Sequence, residues 1–210
     1  MKRVYNSNMD YNYKNLVIDN IFTEEQIEDI YKHIESAKDD QKYLQEIFSH
    51  TAYLNWLPQH IVDRVVEVAQ STTDIELELR ELSFARYEKL IEGNPVQLLP
   101  HRDETFREPR LTLDIQLRAS RSWPLVVEGR TFVLEDNQAL TFAGTHQVHW
   151  REKIEFNDDD YVDMVFCHFS EKGVEKEILG PYPEPGDELG KHDQKMREKA
   201  HYWQKVYNES

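Results

Sequence analysis

Three side chains in this sequence have the types and spacing to hold a metal ion. His101, Arg102 and Asp103 stand together, and two further histidines, His146 and His149, follow well downstream. A His-x-Asp pair with a distant second histidine is the ligand set of the two-histidine, one-carboxylate facial triad. That triad suits non-haem Fe(II) and leaves coordination positions open for a substrate and for dioxygen. In a strand, residues i and i+2 face the same way, so His101 and Asp103 are expected to grip one ion from one strand face. His146 and His149 lie three apart and in a strand face opposite ways, so only one of them is the distal ligand. A His-x-Asp pair alone arises often by chance; its weight comes from the elements around it.

Those elements read as short strands. Leu82 to Lys89 is strand-like and contains Arg86-Tyr87. Gly93, Asn94 and Pro95 form a turn, and Val96 to Pro100 leads into His101. Leu111 to Arg118 alternates strictly, with Thr112, Asp114, Gln116 and Arg118 on one face. Trp123 to Gly129, Thr131 to Leu134 and Ala139 to Gly144 follow, and Tyr161 to Phe169 closes the series. Short strands at close spacing, separated by turn signals, predict an all-β barrel or sandwich. Two helices precede it. The first runs from Thr23 to Ala37, opens on the capping box Thr23-Glu24-Glu25-Gln26, and repeats Ile27, Ile30, Tyr31 and Ile34 at helical spacing. The second, from Gln59 to Gln70, carries Ile61, Val62, Val65, Val66 and Val68. Gly180 to Gly186 is a Pro/Gly loop, and Asp193 to Tyr207 reads as a charged helix with Met196, Ala200, Trp203 and Val206 inward.

The stretch from Leu82 to Phe169 resembles the double-stranded β-helix core of the Fe(II)- and 2-oxoglutarate-dependent oxygenases, in particular their prolyl-4-hydroxylase-like branch. The features that carry the resemblance are Arg86-Tyr87 before the His-x-Asp pair, the Leu-Thr strand after it, the Phe142-Ala143-Gly144 turn before His149-Trp150-Arg151-Glu152, and the closing Val165-Phe166-Cys167-His168-Phe169. Leu16 to Gln26 also resembles the opening strand and first helix of this branch, so the likeness covers roughly residues 15–170. It implies a mainly β (α+β) fold: a jelly-roll, cupin-like core over 80–170, helical support over 15–75 packed on one sheet, and a C-terminal loop and helix over 180–210, all in one domain of 1–210. It also implies Fe(II) bound by His101, Asp103 and His149, with 2-oxoglutarate and dioxygen as cosubstrates. The reaction is then hydroxylation of an unactivated C–H bond, coupled to decarboxylation of 2-oxoglutarate to succinate and CO2. Family members that install halogen lack the carboxylate, so Asp103 points to hydroxylation or desaturation.

The sequence departs from the pattern in one place. The usual members carry a cation about ten residues after the distal histidine to hold the far carboxylate of 2-oxoglutarate, where this chain reads Asn157-Asp158-Asp159-Asp160-Tyr161. A dianion still needs a charged partner. Arg151, two residues after His149, and Arg118, on the polar face of its strand, are the two candidates, with Tyr87 adding a hydroxyl.

Composition narrows the partners. At 210 residues the chain can bury a sizeable core. The net charge of −15, from 25 Lys and Arg against 40 Asp and Glu, disfavours nonspecific binding to nucleic acid. Arg102, Arg107, Arg110, Arg118, Arg121 and Arg130 cluster near the metal pair, which suggests a less negative site mouth. Nothing approaches the ~20 apolar residues of a membrane span, and Met1 to Asn6 lacks the apolar stretch of a leader. The lone Cys167 excludes an internal disulfide and fits a reducing compartment, so a cytoplasmic location is expected. The absence of a recognisable extra substrate-binding domain favours a small-molecule substrate such as an amino acid. A residue in a peptide or protein, or ligand binding without turnover, stays open.

Overall fold

A computed structural model describes residues 13–39, 43–45, 49–54, 57–89, 95–103, 111–174, 198–199 and 201–208. Eleven strands and two long helices order as β1 (Leu16–Ile18), α1 (Glu24–Asp39), β2 (Tyr43–Gln45), β3 (Ser49–Tyr53), α2 (Gln59–Gln70), β4 (Leu77–Glu88), β5 (Val96–His101), β6 (Leu111–Ala119), β7 (Leu125–Val127), β8 (Arg130–Phe132), β9 (Gln138–Phe142), β10 (His149–Ile154) and β11 (Tyr161–Glu171).

The strands form two antiparallel sheets. One runs β1-β9-β6-β11-β4-β3-β2 and the other β5-β10-β7-β8. From β4 onward the chain passes repeatedly between the two sheets, which is the double-stranded β-helix, or jelly roll. The hairpin β7–β8 turns on Glu128 and Gly129, both with positive φ (50° and 75°), the geometry of a two-residue type I′ turn. Strands β2 and β3 extend the large sheet beyond the core. Their segment, Tyr43 to Tyr53, has little apolar alternation and gave no strand signal in the sequence.

The helices cover one face of the seven-stranded sheet. The α1 capping box is complete: the Thr23 N–H donates to Gln26 Oε1 (3.0 Å) and the Gln26 N–H to Thr23 Oγ1 (3.2 Å). Ile27, Ile30 and Ile34 of α1 and Ile61, Val65 and Val68 of α2 pack with Leu113, Ile115, Leu117, Val165, Cys167 and Phe169 of the sheet. Burying a side chain of this size contributes about 1.5–3 kcal/mol each, so this layer anchors the large sheet. Cys167 lies wholly inside it, and burial, with Asp114 nearby, pushes its thiol well above its ordinary value.

The C-terminal segment 201–208 is helical and lies on the outer face of the four-stranded sheet. Trp203 stacks at 5.1 Å on Trp150, Gln204 donates to the Pro100 carbonyl and Tyr207 to Gln97. Trp203 also sits where a side chain on Gly129 would be: a Cβ there would lie 2.5 Å from its ring. The inward residues are thus Trp203 and Tyr207, one turn apart, while Val206 faces outward at 37% exposure, contrary to the sequence expectation. The loop expected at Gly180 to Gly186, Met196 and Ala200 lie outside the described residues.

Candidate metal centre

His101 ends β5 and His149 begins β10, directly opposite each other in the ladder. Their rings stand 4.3 Å apart. Each Nδ1 is bonded to the carbonyl two residues back, His101 to Leu99 (2.8 Å) and His149 to Gln147 (3.0 Å). Such a bond places the imidazole proton on Nδ1 and leaves the Nε2 lone pair free for a ligand. The His149 Nε2 lies 3.5 Å from Asp103 Oδ1. One donor atom from each of His101, Asp103 and His149 falls within 4.8 Å of the others.

Asp103 reaches this position by a route other than the expected one. The strand ends at His101, so the two ligands do not share a strand face; instead the Asp103 N–H donates to the Gly144 carbonyl (3.0 Å) in the turn before β10. Its other oxygen, Oδ2, accepts from Thr112 Oγ1 (3.2 Å) and lies 3.7 Å from His168 Nδ1. Thr112 and His168 are cross-strand partners on β6 and β11 and are themselves 3.3 Å apart. Gly144 is required by closeness: a Cβ there would stand 2.0 Å from Asp103 Oδ2 and 2.2 Å from Thr112 Oγ1. The sequence reading overlooked Thr112, Gly144 and His168 as neighbours of the site; the alternation of β6 was the signal that Thr112 faces it.

The electrostatics suit a cation. Burial pushes the Asp103 carboxyl up, but the three imidazoles of His149, His168 and His101 outweigh it and hold the group well below the carboxylate range. Burial and then His149 lower His101 to about 4, so it is neutral at pH 7 and free to coordinate. Burial opposes charge on His149 as well, yet the adjacent Asp103 raises it overall. A divalent ion would take the place of that proton. Two imidazole lone pairs and one ionised carboxylate, with their far sides held by hydrogen bonds, are the donors an Fe(II) facial triad needs. His146 is not part of the set: it lies in the 144–147 turn, with its Nδ1 bonded to Thr145 Oγ1 at 2.8 Å.

The cosubstrate candidates separate. Arg151 is 2% exposed and faces the same interior as His149, because the intervening Trp150 turns outward to the C-terminal helix. Its guanidinium donates to the Trp123 carbonyl and to Met164 Sδ and lies 5.0 Å over the Trp123 ring, with no carboxylate in ion-pair contact among the described residues. Burial pulls its pKa down, and Asp114 and Tyr87 work against that. Tyr87, 9% exposed, packs at 5.1 Å on the same Trp123.

Arg118 goes elsewhere. It pairs with Glu24 at 2.9 Å, lies over the Tyr31 ring of α1 and is 43% exposed. The cause is a β-bulge. Asp163 and Met164 of β11 face Arg118 and Gln116 of β6, so Leu117 is an extra residue, and the alternation that holds from Leu111 to Gln116 breaks there. Of the other arginines expected near the mouth, Arg121 pairs with Asp160 at 3.1 Å, Arg130 covers Phe132, and Arg102 is buried and donates to the Thr145 carbonyl at 3.3 Å. Arg107 and Arg110 lie outside the described residues.

No protein-family model matches this sequence, and no curated protein matches it. Solved structures do share its fold. The epimerase SnoN from nogalamycin biosynthesis superposes with a TM-score of 0.60 at 12% identity, over 83% of this chain and 87% of that one. HygX from Streptomyces hygroscopicus, determined with nickel and 2-oxoglutarate bound, gives 0.55 at 11% identity, over 76% and 83%. The viral collagen prolyl hydroxylase of Paramecium Bursaria Chlorella virus-1, a 2-oxoglutarate complex, gives 0.56 at 10% identity, over 77% and 97%. The chain therefore shares the fold of these structures, the double-stranded β-helix described above.

Proposed function

We propose that this chain is an Fe(II)- and 2-oxoglutarate-dependent dioxygenase, one catalytic domain over residues 1–210, that hydroxylates a C–H bond of a small molecule such as an amino acid. The observation that carries the reading is the convergence of His101, Asp103 and His149 inside a double-stranded β-helix, with a fully buried arginine, Arg151, two residues further along the same strand. His101, Asp103 and His149 would hold the iron. Arg151 would take the far carboxylate of 2-oxoglutarate, with Tyr87 beside it. When bound, iron and 2-oxoglutarate would supply electrons that activate dioxygen, the oxidant, whose two atoms would end in succinate (formed with CO2 from 2-oxoglutarate) and in the hydroxylated product.

The chain's own residues do the rest. Thr112 donates to Asp103 Oδ2 and His168 lies 3.7 Å from the same oxygen, which fixes the orientation in which the carboxylate would meet the ion. Phe142, edge-on to His149 at 4.8 Å, and the apolar cluster of Leu125, Val127, Leu134 and Leu140 keep water from that side. Asp103 fills the position that a halide would need, which favours hydroxylation over halogenation.

HygX and SnoN have also been determined with hygromycin B and nogalamycin RO; these small-molecule complexes support the substrate class. The likeness to a collagen prolyl hydroxylase favours a second reading, a peptide or protein substrate. No described helix is long and apolar enough to cross a membrane. The single buried thiol fits the reducing cytoplasm, where we place the protein. The test is succinate release with Fe(II), 2-oxoglutarate and dioxygen, against panels of amino acids, other metabolites and peptides. Turnover with a panel member supports the reading and selects the substrate class. Absence of 2-oxoglutarate binding and of succinate under every condition contradicts it.

A further inference from the structure

The inner face of β6 carries Thr112, Asp114 and Gln116. Thr112 is bonded to Asp103, and Gln116 donates to the Leu134 carbonyl at 3.1 Å. Asp114, between them, is 4% exposed, and no hydrogen bond or ion pair from a described residue reaches its carboxylate. Leu113 and Ile115 belong to the helix-side core, so Asp114 points into the barrel.

The charged groups that act on it come from the facing elements: His149 and Arg151 from β10, and Asp103 from the segment after β5. Its cross-strand partners, Phe166 on β11 and Leu140 on β9, carry no charge. Tyr87 on β4 acts on Arg151, and Cys167 lies behind on the other face. A buried cation and a buried acid on facing strands are thus both without an ion-pair partner among the described residues, and they are not within ion-pair distance of each other. Each is costly alone. A carboxylate has about four lone-pair sites, so one ligand carboxylate can accept from both.

Building on Arg151 as the cosubstrate clamp, we propose that Asp114 is the other half of that anion site. As a carboxylic acid it donates its O–H to the carboxylate that Arg151 holds, so loading the site draws one proton from solvent. Consistent with this, burial pushes the Asp114 carboxyl up to about 7, with Asp103 adding to the effect and His149 and Arg151 opposing it. An incoming anion drives it further the same way. The affinity for 2-oxoglutarate is then nearly constant where Asp114 is already protonated and falls by up to about tenfold per pH unit once it ionises.

The experiment is anaerobic calorimetric titration of 2-oxoglutarate into the Fe(II)-loaded protein at pH 6 and pH 8, each in two buffers of different ionisation enthalpy. The parent should take up close to one proton per ligand at pH 8 and fewer as the pH is lowered. Asp114→Asn, which keeps a donor without needing a proton, should take up none and bind at least about tenfold more tightly than the parent at pH 8. Binding by the parent without proton uptake at pH 8, or uptake unchanged in Asp114→Asn, overturns this inference alone. Absence of 2-oxoglutarate binding by the parent overturns the oxygenase reading and this inference with it.

Discussion

Two buried aspartates sit on adjacent strands of the large sheet and face opposite ways. Asp163 of β11 points to the helices, is 0% exposed, and accepts 2.7 Å hydrogen bonds from Arg86 Nε, Arg86 Nη2 and the Tyr31 hydroxyl. Burial and Asp163 together push the Tyr31 phenol far above its ordinary value, so it stays a donor. Asp114 of β6 points into the barrel and has no such partners. The arginines divide the same way: Arg86 is in a two-pronged pair with Asp163, and Arg151 has no carboxylate in contact. Buried polar groups are ordinarily satisfied by the protein. The helix-side polar cluster is complete within the chain and holds the fold together. Among the described residues the barrel side keeps an acid and a cation without an ion-pair partner, as the binding site proposed above requires.

That contrast can be broken by mutation. The largest effect falls on the completed cluster. Asp163→Ala removes the acceptor of three hydrogen bonds from a half-buried guanidinium and a partly buried phenol, and should lower stability by roughly 3–5 kcal/mol, read as a fall in thermal midpoint of about ten degrees or more. Stability equal to the parent would remove the distinction. Next, Arg151→Ala should weaken 2-oxoglutarate binding at least tenfold, from a loss of about 2–5 kcal/mol. Arg118→Ala should leave it unchanged, its exposed pair with Glu24 contributing little. Equal losses would place the clamp outside the barrel.

Thr112→Val should weaken Fe(II) binding about tenfold by releasing the outer oxygen of Asp103, without unfolding the protein; an iron titration with unaltered affinity would contradict this. The smallest effect is a gain. The native Asp114 carboxyl is raised to about 7 from an unfolded value near 4. Its contribution to stability is therefore full below pH 4 and lost as the pH rises through 7. Asp114→Asn should melt a few degrees higher than the parent at pH 8 and show no such gain at pH 4. A gain independent of pH would mean that the aspartate is not titrating.

Much of this was legible in the sequence because local rules set it. The capping box and the Ile27, Ile30, Ile34 spacing fix α1. The alternation from Leu111 to Gln116 fixes the two faces of β6. The motif order brings His101, Asp103 and His149 to one place. What escaped depends on contacts between distant segments. The Leu117 bulge is set by pairing with β11, and it sends Arg118 to α1. Asp103 is positioned by Gly144, forty-odd residues away, and not by its own strand. His168 was seen only as part of a closing strand, since nothing in its local sequence says that it faces Thr112. The short strand β3 exists because β4 offers it an edge to pair with, and β2 pairs in turn with β3.

The most direct test of the whole account is a crystal structure of the anaerobic complex with Fe(II) and 2-oxoglutarate. The account predicts one ion on the Nε2 atoms of His101 and His149 and on Asp103, with the far carboxylate of 2-oxoglutarate on Arg151. An ion on His146 or away from Asp103, or a ligand carboxylate that leaves Arg151 untouched, would contradict it.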